Sequence, residues 1–135
     1  MTRTQNLDLV RSIYADWERG DFTRVDWADS QIEFMGVGFL DSGRWIGPES
    51  GRQAFEGFRS TWEGYRVVVD EFRELDDDRI LVLARRTGRG KMSGLELAQM
   101  RTEWATLFHV RAGKVTRVVV YAERDRAFAD LGLQE

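Results

Sequence analysis

The 135-residue sequence predicts a single α+β domain, residues 1–135, with helices packed on one face of a curved, mostly antiparallel sheet. Apolar residues in the first half of the chain recur at helical spacing, whereas the second half contains four long apolar runs separated by short polar turns. Strands joined by such turns pair antiparallel, and helices that cover a sheet bury the apolar faces of both.

The N-terminal region predicts two helical segments and a strand. Apolar residues of the first helix lie three or four positions apart: Leu7, Val10, Ile13, Tyr14 and Trp17. Asn6 is a suitable N-cap for this helix, and Gly20 can end it in the left-handed conformation. A shorter helical piece is expected between Asp21 and Trp27. A strand is then expected over 30–39.

Pro48 predicts the first turn of a third helix. Its apolar residues Phe55, Phe58 and Trp62 share one face, and Gly64 ends it. The four strands that follow are expected over 65–75, 79–87, 95–110 and 115–122. A final amphipathic segment around Phe128 closes the chain.

Composition excludes several functional classes. The chain contains no cysteine, which rules out disulfides, thiolate catalysis and cysteine-based zinc sites and favours a cytoplasmic location. With a single histidine and scattered carboxylates, no metal and no cofactor are expected. A net charge of -3 argues against nucleic acid as a partner, and the basic stretch 85–91 is interpreted as a solvated hairpin end. The N-terminus has no long apolar run, so no signal peptide or membrane span is expected.

Several segments occur in a distinctive order: "ERGDF" at the end of the first helix, "WIGPESGRQAFEGF" at the start of the third, then "GRGKMSG" and the terminal "RAGKVTRVVVYAERDRAFADLGL". In this order they resemble the SnoaL-like branch of the nuclear-transport-factor-two-like superfamily, which has the ketosteroid isomerase-like fold. The resemblance implies a cone-shaped open barrel in which the sheet wraps around three N-terminal helices. It also implies an apolar pocket inside the cone and a homodimer formed through the sheet. Members include isomerases, cyclases and hydrolases, so the fold implies no single reaction.

The catalytic side chains of these relatives are missing from the matching positions. Isomerase-like chemistry would require a carboxylate base, a carboxyl donor and a tyrosine, but Phe34, Ala105 and Ile13 occupy those positions. The resemblance to epoxide hydrolases would require an Arg-x-Asp pair near 86–88 and a carboxylate at Val120. No mechanism of the family can therefore be transferred directly.

The stretch "MRTEWATLFHV" is the most informative for a new site, because it alternates between an apolar face and a mixed face that carries charge. Aligned with the family through Gly113, Ala105 and Leu107 face the pocket. The alternation of a strand then carries Arg101 and Glu103 inward with them. Glu103 would be the acid or base and Arg101 its polar partner.

The opposite orientation is left open. In the first orientation Met100, Trp104 and Phe108 lie on the outer face, where a second copy of the chain would cover them. In the second orientation this apolar face is the core, and Arg101 and Glu103 form a solvent-exposed ion pair.

The predicted site therefore combines two sets of residues. Glu103 and Arg101 are the catalytic candidates. The pocket-lining candidates are Tyr14, Trp17, Phe34, Phe58, Trp62, Ala105, Leu107, Val118 and Val120. His109 is expected at the rim, near the turn that follows it. The ligand is expected to be a small hydrophobic molecule, either processed by acid–base chemistry or held by a non-catalytic binding or dimerisation module.

Overall fold

The elements follow the predicted order, with differences in the N-terminal half. A computed structural model describes residues 2–39, 43–95 and 102–133. In chain order they form α1 (Arg3–Glu18), β1 (Ala28–Val37), β2 (Arg44–Ile46), α2 (Pro48–Arg59), β3 (Trp62–Glu74), β4 (Arg79–Gly90), β5 (Glu103–Arg111), β6 (Lys114–Tyr121) and α3 (Arg124–Leu131). The predicted α+β class is confirmed. Each of these helices is too short or too polar to cross a membrane.

The six strands form one mixed sheet in the order β2-β1-β6-β5-β4-β3. Strands β3 to β6 pair antiparallel with their neighbours in sequence, which confirms the predicted four-stranded meander. Strand β1 lies parallel to β6 and antiparallel to β2. Because no strand among the described residues pairs with the outer edge of β2 or of β3, the sheet is not closed, as in an open cone.

The first helix begins at Arg3, and its N-cap lies four residues before Asn6, the predicted N-cap. Thr2 is the N-cap and forms a capping box with Gln5. Asn6 lies inside the helix, where its buried amide donates to the backbone oxygen of Asp77 at 2.7 Å. Gly20 has a φ of 83° and ends the helix as predicted.

The predicted helical piece between Asp21 and Trp27 is absent. The Asp21 carboxylate accepts hydrogen bonds from the backbone N–H and the hydroxyl of Thr23, at 3.0 and 2.7 Å. This local turn competes with helix formation. The prediction for α2 was also too long, because the helix ends at Arg59 and Trp62 is the first residue of β3. Two helices therefore precede the long strands, and the third helix is C-terminal.

The sheet is covered on both faces within one chain. On the inner face, residues of α1 pack against alternate residues of the strands: Val10, Ile13 and Tyr14 with Ile32, Val67, Val82, Phe108 and Val118. On the outer face, α3 packs on the other set: Ala127 and Phe128 with Leu81, Leu83, Ala105, Leu107, Val119 and Tyr121. Apolar residues on both sides of β5 are thus explained without a partner subunit.

Ion pairs attach α3 to the strands beneath it. Asp70 lies at an irregularity of β3, between Val69 and Glu71, where the pairing with β4 shifts. Its carboxylate accepts from Arg124 of α3 at 2.7 Å and from Arg85 of β4 at 3.0 Å. The position of the last helix is therefore linked to two neighbouring strands through one side chain.

Candidate functional site

A cavity of about 430 Å³ lies between α2, the segment 22–28 and the inner face of the sheet. Four tryptophans and five phenylalanines line it, so its wall is mostly apolar. The tryptophans are Trp17, Trp27, Trp45 and Trp104. An apolar concavity with a small number of polar groups is the usual form of a small-molecule site.

Helix α2 closes the cavity through aromatic contacts. Phe55 stacks on Trp17 of α1 with ring centroids 5.9 Å apart and an interplanar angle of 15°. Phe58 follows three residues later on the same helix face, and its ring centroid lies 5.3 Å from that of Trp104 in β5. At its first turns the helix approaches β1 closely, since a Cβ atom on Gly51 would lie 2.2 Å from the ring of Phe34. The helix is therefore held against both α1 and the sheet.

The polar end of the cavity is formed by Arg86 of β4. This side chain lines the cavity, yet the residue is only 3% exposed to solvent. Its Nε donates to the hydroxyl of Tyr65 at 3.0 Å, and its guanidinium carbon lies 4.3 Å from the ring centroid of Trp104. The Nη1 atom is buried and has no hydrogen-bond partner, and no described residue forms an ion pair with Arg86. A buried cation with this few partners is costly.

Two hydroxyl groups accompany Arg86. Thr106 lines the cavity, and its Oγ1 is buried without a hydrogen-bond partner. The phenol of Tyr14 is fully buried beside them, within reach of the Arg86 guanidinium and the Thr106 hydroxyl, although its oxygen completes no well-aligned hydrogen bond with either. Burial raises the pKa of Tyr14, while the charge of Arg86 and the hydroxyl of Thr106 oppose the increase. The cavity therefore ends at Arg86 and Thr106, with the phenol of Tyr14 in the core behind them.

The other two arginines of the lining already have acidic partners. Arg24 pairs with Asp16 at 2.6 Å and with Asp26 at 2.9 Å. Arg52 pairs with Glu49, one turn earlier on α2. Among the described residues the lining contains no carboxylate, and no three acidic or histidine side chains are grouped to hold a metal ion. Among the three arginines of the described lining, Arg86 is thus the one whose charge has no acidic partner.

Most of the predicted lining residues lie at the cavity. Trp17, Phe34, Phe58, Val118 and Val120 all line it. Tyr14 and Trp62 do not.

Tyr14 belongs instead to the core behind Arg86. Trp62 is the first residue of β3 and contacts Phe58, with ring centroids 6.2 Å apart. The interpretation of Trp62 failed because it assumed that α2 continued past Arg59.

The predicted inward orientation of the odd-numbered residues in β5 is wrong. Ala105 and Leu107 lie on the outer face under α3, and Glu103 is exposed to solvent opposite Arg85. Arg101, its predicted partner, lies outside the described residues.

The orientation follows from packing. Trp104 and Phe108 are the largest side chains of β5, and they fill the space toward the helices, whereas Ala105 and Leu107 are small enough for α3 to cover. The alternation of β5 is regular, since Phe108 and Val110 both belong to the inner cluster, so the alignment through Gly113 itself assigned the wrong face.

Sequence reasoning missed Arg86, Thr106 and Trp104 as members of the site. Arg86 was interpreted as part of a basic hairpin end. A signal was present, since Arg86 continues the alternation of Ile80, Val82 and Ala84, which are all buried on the inner face. An arginine in phase with a buried apolar series indicates a functional group or an unusual ion pair.

No protein-family model matches the sequence, and no curated protein matches it. Solved structures do match. An NTF2-like protein of Burkholderia thailandensis is similar at 22% identity and a TM-score of 0.72, covering 89% of this chain and 89% of its own. A protein of Jannaschia sp. CCS1, described as a SnoaL-like polyketide cyclase, is similar at 17% identity and a TM-score of 0.74, covering 98% and 94%. TerC, co-crystallised with polyporic acid, is similar at 19% identity and a TM-score of 0.72, covering 94% and 97%.

These structures and the described geometry define the class: the chain has the NTF2-like fold, an α+β cone with helices inside the curve of the sheet. The predicted superfamily fold is confirmed. At identities of 15–22% the likeness extends to the fold, and the function must be argued from the site.

Proposed function

We propose that this protein binds a small, flat, hydrophobic molecule in the cavity beneath α2. The observation that carries the proposal is the cavity of about 430 Å³ with nine aromatic residues in its wall. Flat rings pack against such walls by stacking and edge contacts, which add to the gain from removing apolar surface from water. TerC, a protein of similar fold, holds polyporic acid in its crystal structure, which supports a small molecule as the partner.

The geometry favours binding over acid–base catalysis. A general base must accept a proton near neutral pH, but the ionisable side chains of the described lining are Arg24, Arg52 and Arg86. Arginine remains protonated at any pH at which proteins are folded. Glu103, the predicted acid or base, is exposed to solvent, whereas Trp104 and Thr106 of the same strand face the cavity. The non-catalytic alternative therefore has the better support.

The proposal is tested with a neutral aromatic probe and a variant that fills the cavity. Isothermal titration calorimetry with 2-naphthamide should detect binding to the wild type. Ala54→Phe places a ring into the cavity from α2 and should abolish this binding, whereas Gln53→Phe, one residue earlier at an exposed position, should preserve it. Binding that is unchanged in Ala54→Phe would place the probe elsewhere and overturn the proposal.

The homodimer and the cytoplasmic location remain predictions. The original reason for a dimer no longer applies, because Trp104 and Phe108 face the helices of the same chain and Met100 lies outside the described residues. Exposed apolar side chains on the two edge strands, Ile46 of β2 and Val68 of β3, are the remaining support. Light scattering on the purified protein would determine the oligomeric state.

A further inference from the structure

We infer that the ligand carries a negatively charged oxygen attached to a flat apolar ring system, and that Arg86 receives this oxygen. The inference rests on the proposed function, because it takes the cavity as the binding site and adds the charge of its occupant. Ligands with a carboxylate, a phenolate or an enolate conjugated to rings have this chemistry.

The first argument is the incomplete coordination of Arg86. A guanidinium has five N–H donors, and in this protein one hydrogen bond is formed, from Nε to Tyr65. The Nη1 atom is buried without a partner while the side chain lines the cavity. The Nη2 atom forms no hydrogen bond and is not among the fully buried atoms, so it is the donor that an anionic oxygen in the cavity could reach, and this bond would neutralise the charge. Buried donors are satisfied in nearly all proteins, so a guanidinium with so few partners beside a cavity fits a group whose partner is a ligand.

The second argument is the charge of the lining as a whole. Arg24 is paired with Asp16 and Asp26, and Arg52 is paired with Glu49. The described lining contains no acidic residue. The net field in the cavity is therefore positive and is centred on Arg86, which favours anions and disfavours amines.

The third argument is the environment that keeps Arg86 in place while the cavity is empty. Its guanidinium carbon lies over the Trp104 ring at 4.3 Å, where the negative face of the indole attracts a cation. Thr106 lies beside it on the neighbouring strand, with its hydroxyl buried next to the phenol of Tyr14. The charged oxygen would thus meet a guanidinium held beside an aromatic surface that accepts its rings.

Two probes of equal shape and different charge test the inference: 2-naphthoate and 2-naphthamide, compared by isothermal titration calorimetry at pH 7.5. The wild type should bind the naphthoate at least about ten-fold more tightly, because hydrogen bonds between charged groups are the stronger ones. Arg86→Met should reduce this preference to about one. Arg85→Met removes an arginine from the opposite face and should leave the preference intact.

A measurement on the wild type keeps the inference falsifiable if Arg86→Met does not fold. In protein labelled with ¹⁵N-arginine, the Nε–H resonance of Arg86 should shift further on saturation with 2-naphthoate than on saturation with 2-naphthamide. Equal affinity of the wild type for both probes, or equal shifts of the resonance, would overturn the inference and leave the cavity as a neutral binding site. Failure of both probes to bind would overturn the proposed function itself.

Discussion

The guanidinium carbon of Arg86 lies 4.3 Å from the ring centroid of Trp104, and this contact joins the charged end of the cavity to its aromatic wall. The two residues lie on adjacent strands and face the same side of the sheet. Stacking on the indole offsets part of the cost of burying the cation, and the remaining cost persists until a ligand arrives. Arg86 is therefore expected to reduce stability in exchange for binding.

Substitution of Arg86 tests this trade-off. Arg86→Met fills similar volume without charge, so the free energy of unfolding should stay within about 1 kcal/mol of the wild type or rise. Tyr65→Phe should instead lower it by about 1–3 kcal/mol, because the buried Nε of Arg86 then loses its partner. Urea denaturation measures both. A loss of more than about 3 kcal/mol in Arg86→Met would make this arginine a structural element rather than a binding group.

Two glycines of α2 form a matched pair for packing. Gly51→Ala should destabilise the protein by about 1–3 kcal/mol, because the added methyl group would meet the Phe34 ring at 2.2 Å. Gly57→Ala should stabilise it by about 0.5–1 kcal/mol, since nothing lies within 4 Å of the new Cβ and alanine favours the helix. Thermal unfolding of both variants should therefore give shifts of opposite sign. Equal shifts would mean that α2 is not held against β1 as described.

Asp70 predicts a component of acid sensitivity. Hydrogen bonds from Arg124 and Arg85 hold the pKa of this carboxyl below its usual value in the folded protein. As the pH falls, the unfolded chain takes up the proton first, so the stabilisation is complete above about pH 4 and is lost as the pH falls through the folded-state pKa. Asp70→Asn should reduce stability at neutral pH and weaken the dependence of stability on pH below pH 4. The urea midpoints of the wild type and of Asp70→Asn are measured at pH 7 and pH 3. An equal fall of the midpoint in both proteins between these pH values would contradict the prediction.

His109 should titrate independently of the cavity. Burial lowers the pKa of His109 below 6.5, and the charges of Arg117 and Arg79 add to this effect. Both folded and unfolded chains carry a neutral imidazole well above pH 6.5, so the stability cost appears only as the pH falls from 6.5 toward the folded-state pKa. An NMR titration of the imidazole should give a midpoint below 6.5 that 2-naphthoate does not move. A ligand-dependent midpoint would place this histidine in contact with the site.

The sequence was sufficient for the parts of the fold that have long periodic signals. Helix α1 and the meander β3 to β6 each extend over eight or more residues with one consistent period, and short turns allow only antiparallel neighbours. The three residues of β2 carry no comparable pattern. The segment after Gly20 was misjudged because the Asp21–Thr23 turn provides local hydrogen bonds that outweigh helical spacing.

The site was harder to predict because β5 is apolar on both faces. Phe108 and Leu107 are both buried, one under α1 and the other against α3, so local alternation cannot assign the face. The choice depends on α3, which lies far along the chain. Arg86 was obscured by its charged neighbours Arg85 and Arg89, although its phase with Ala84 marked it as inward.

The parallel pairing of β1 with β6 has a consequence for folding. Val118 and Val120, which complete the cavity wall beside Phe34, belong to the last of the described strands in chain order. The hollow is therefore not enclosed until β6 has paired with β1. Joining segments so distant in sequence is also a slow step of folding. A small molecule that binds the cavity would therefore stabilise folded chains and not partly folded ones in which this pair has yet to form.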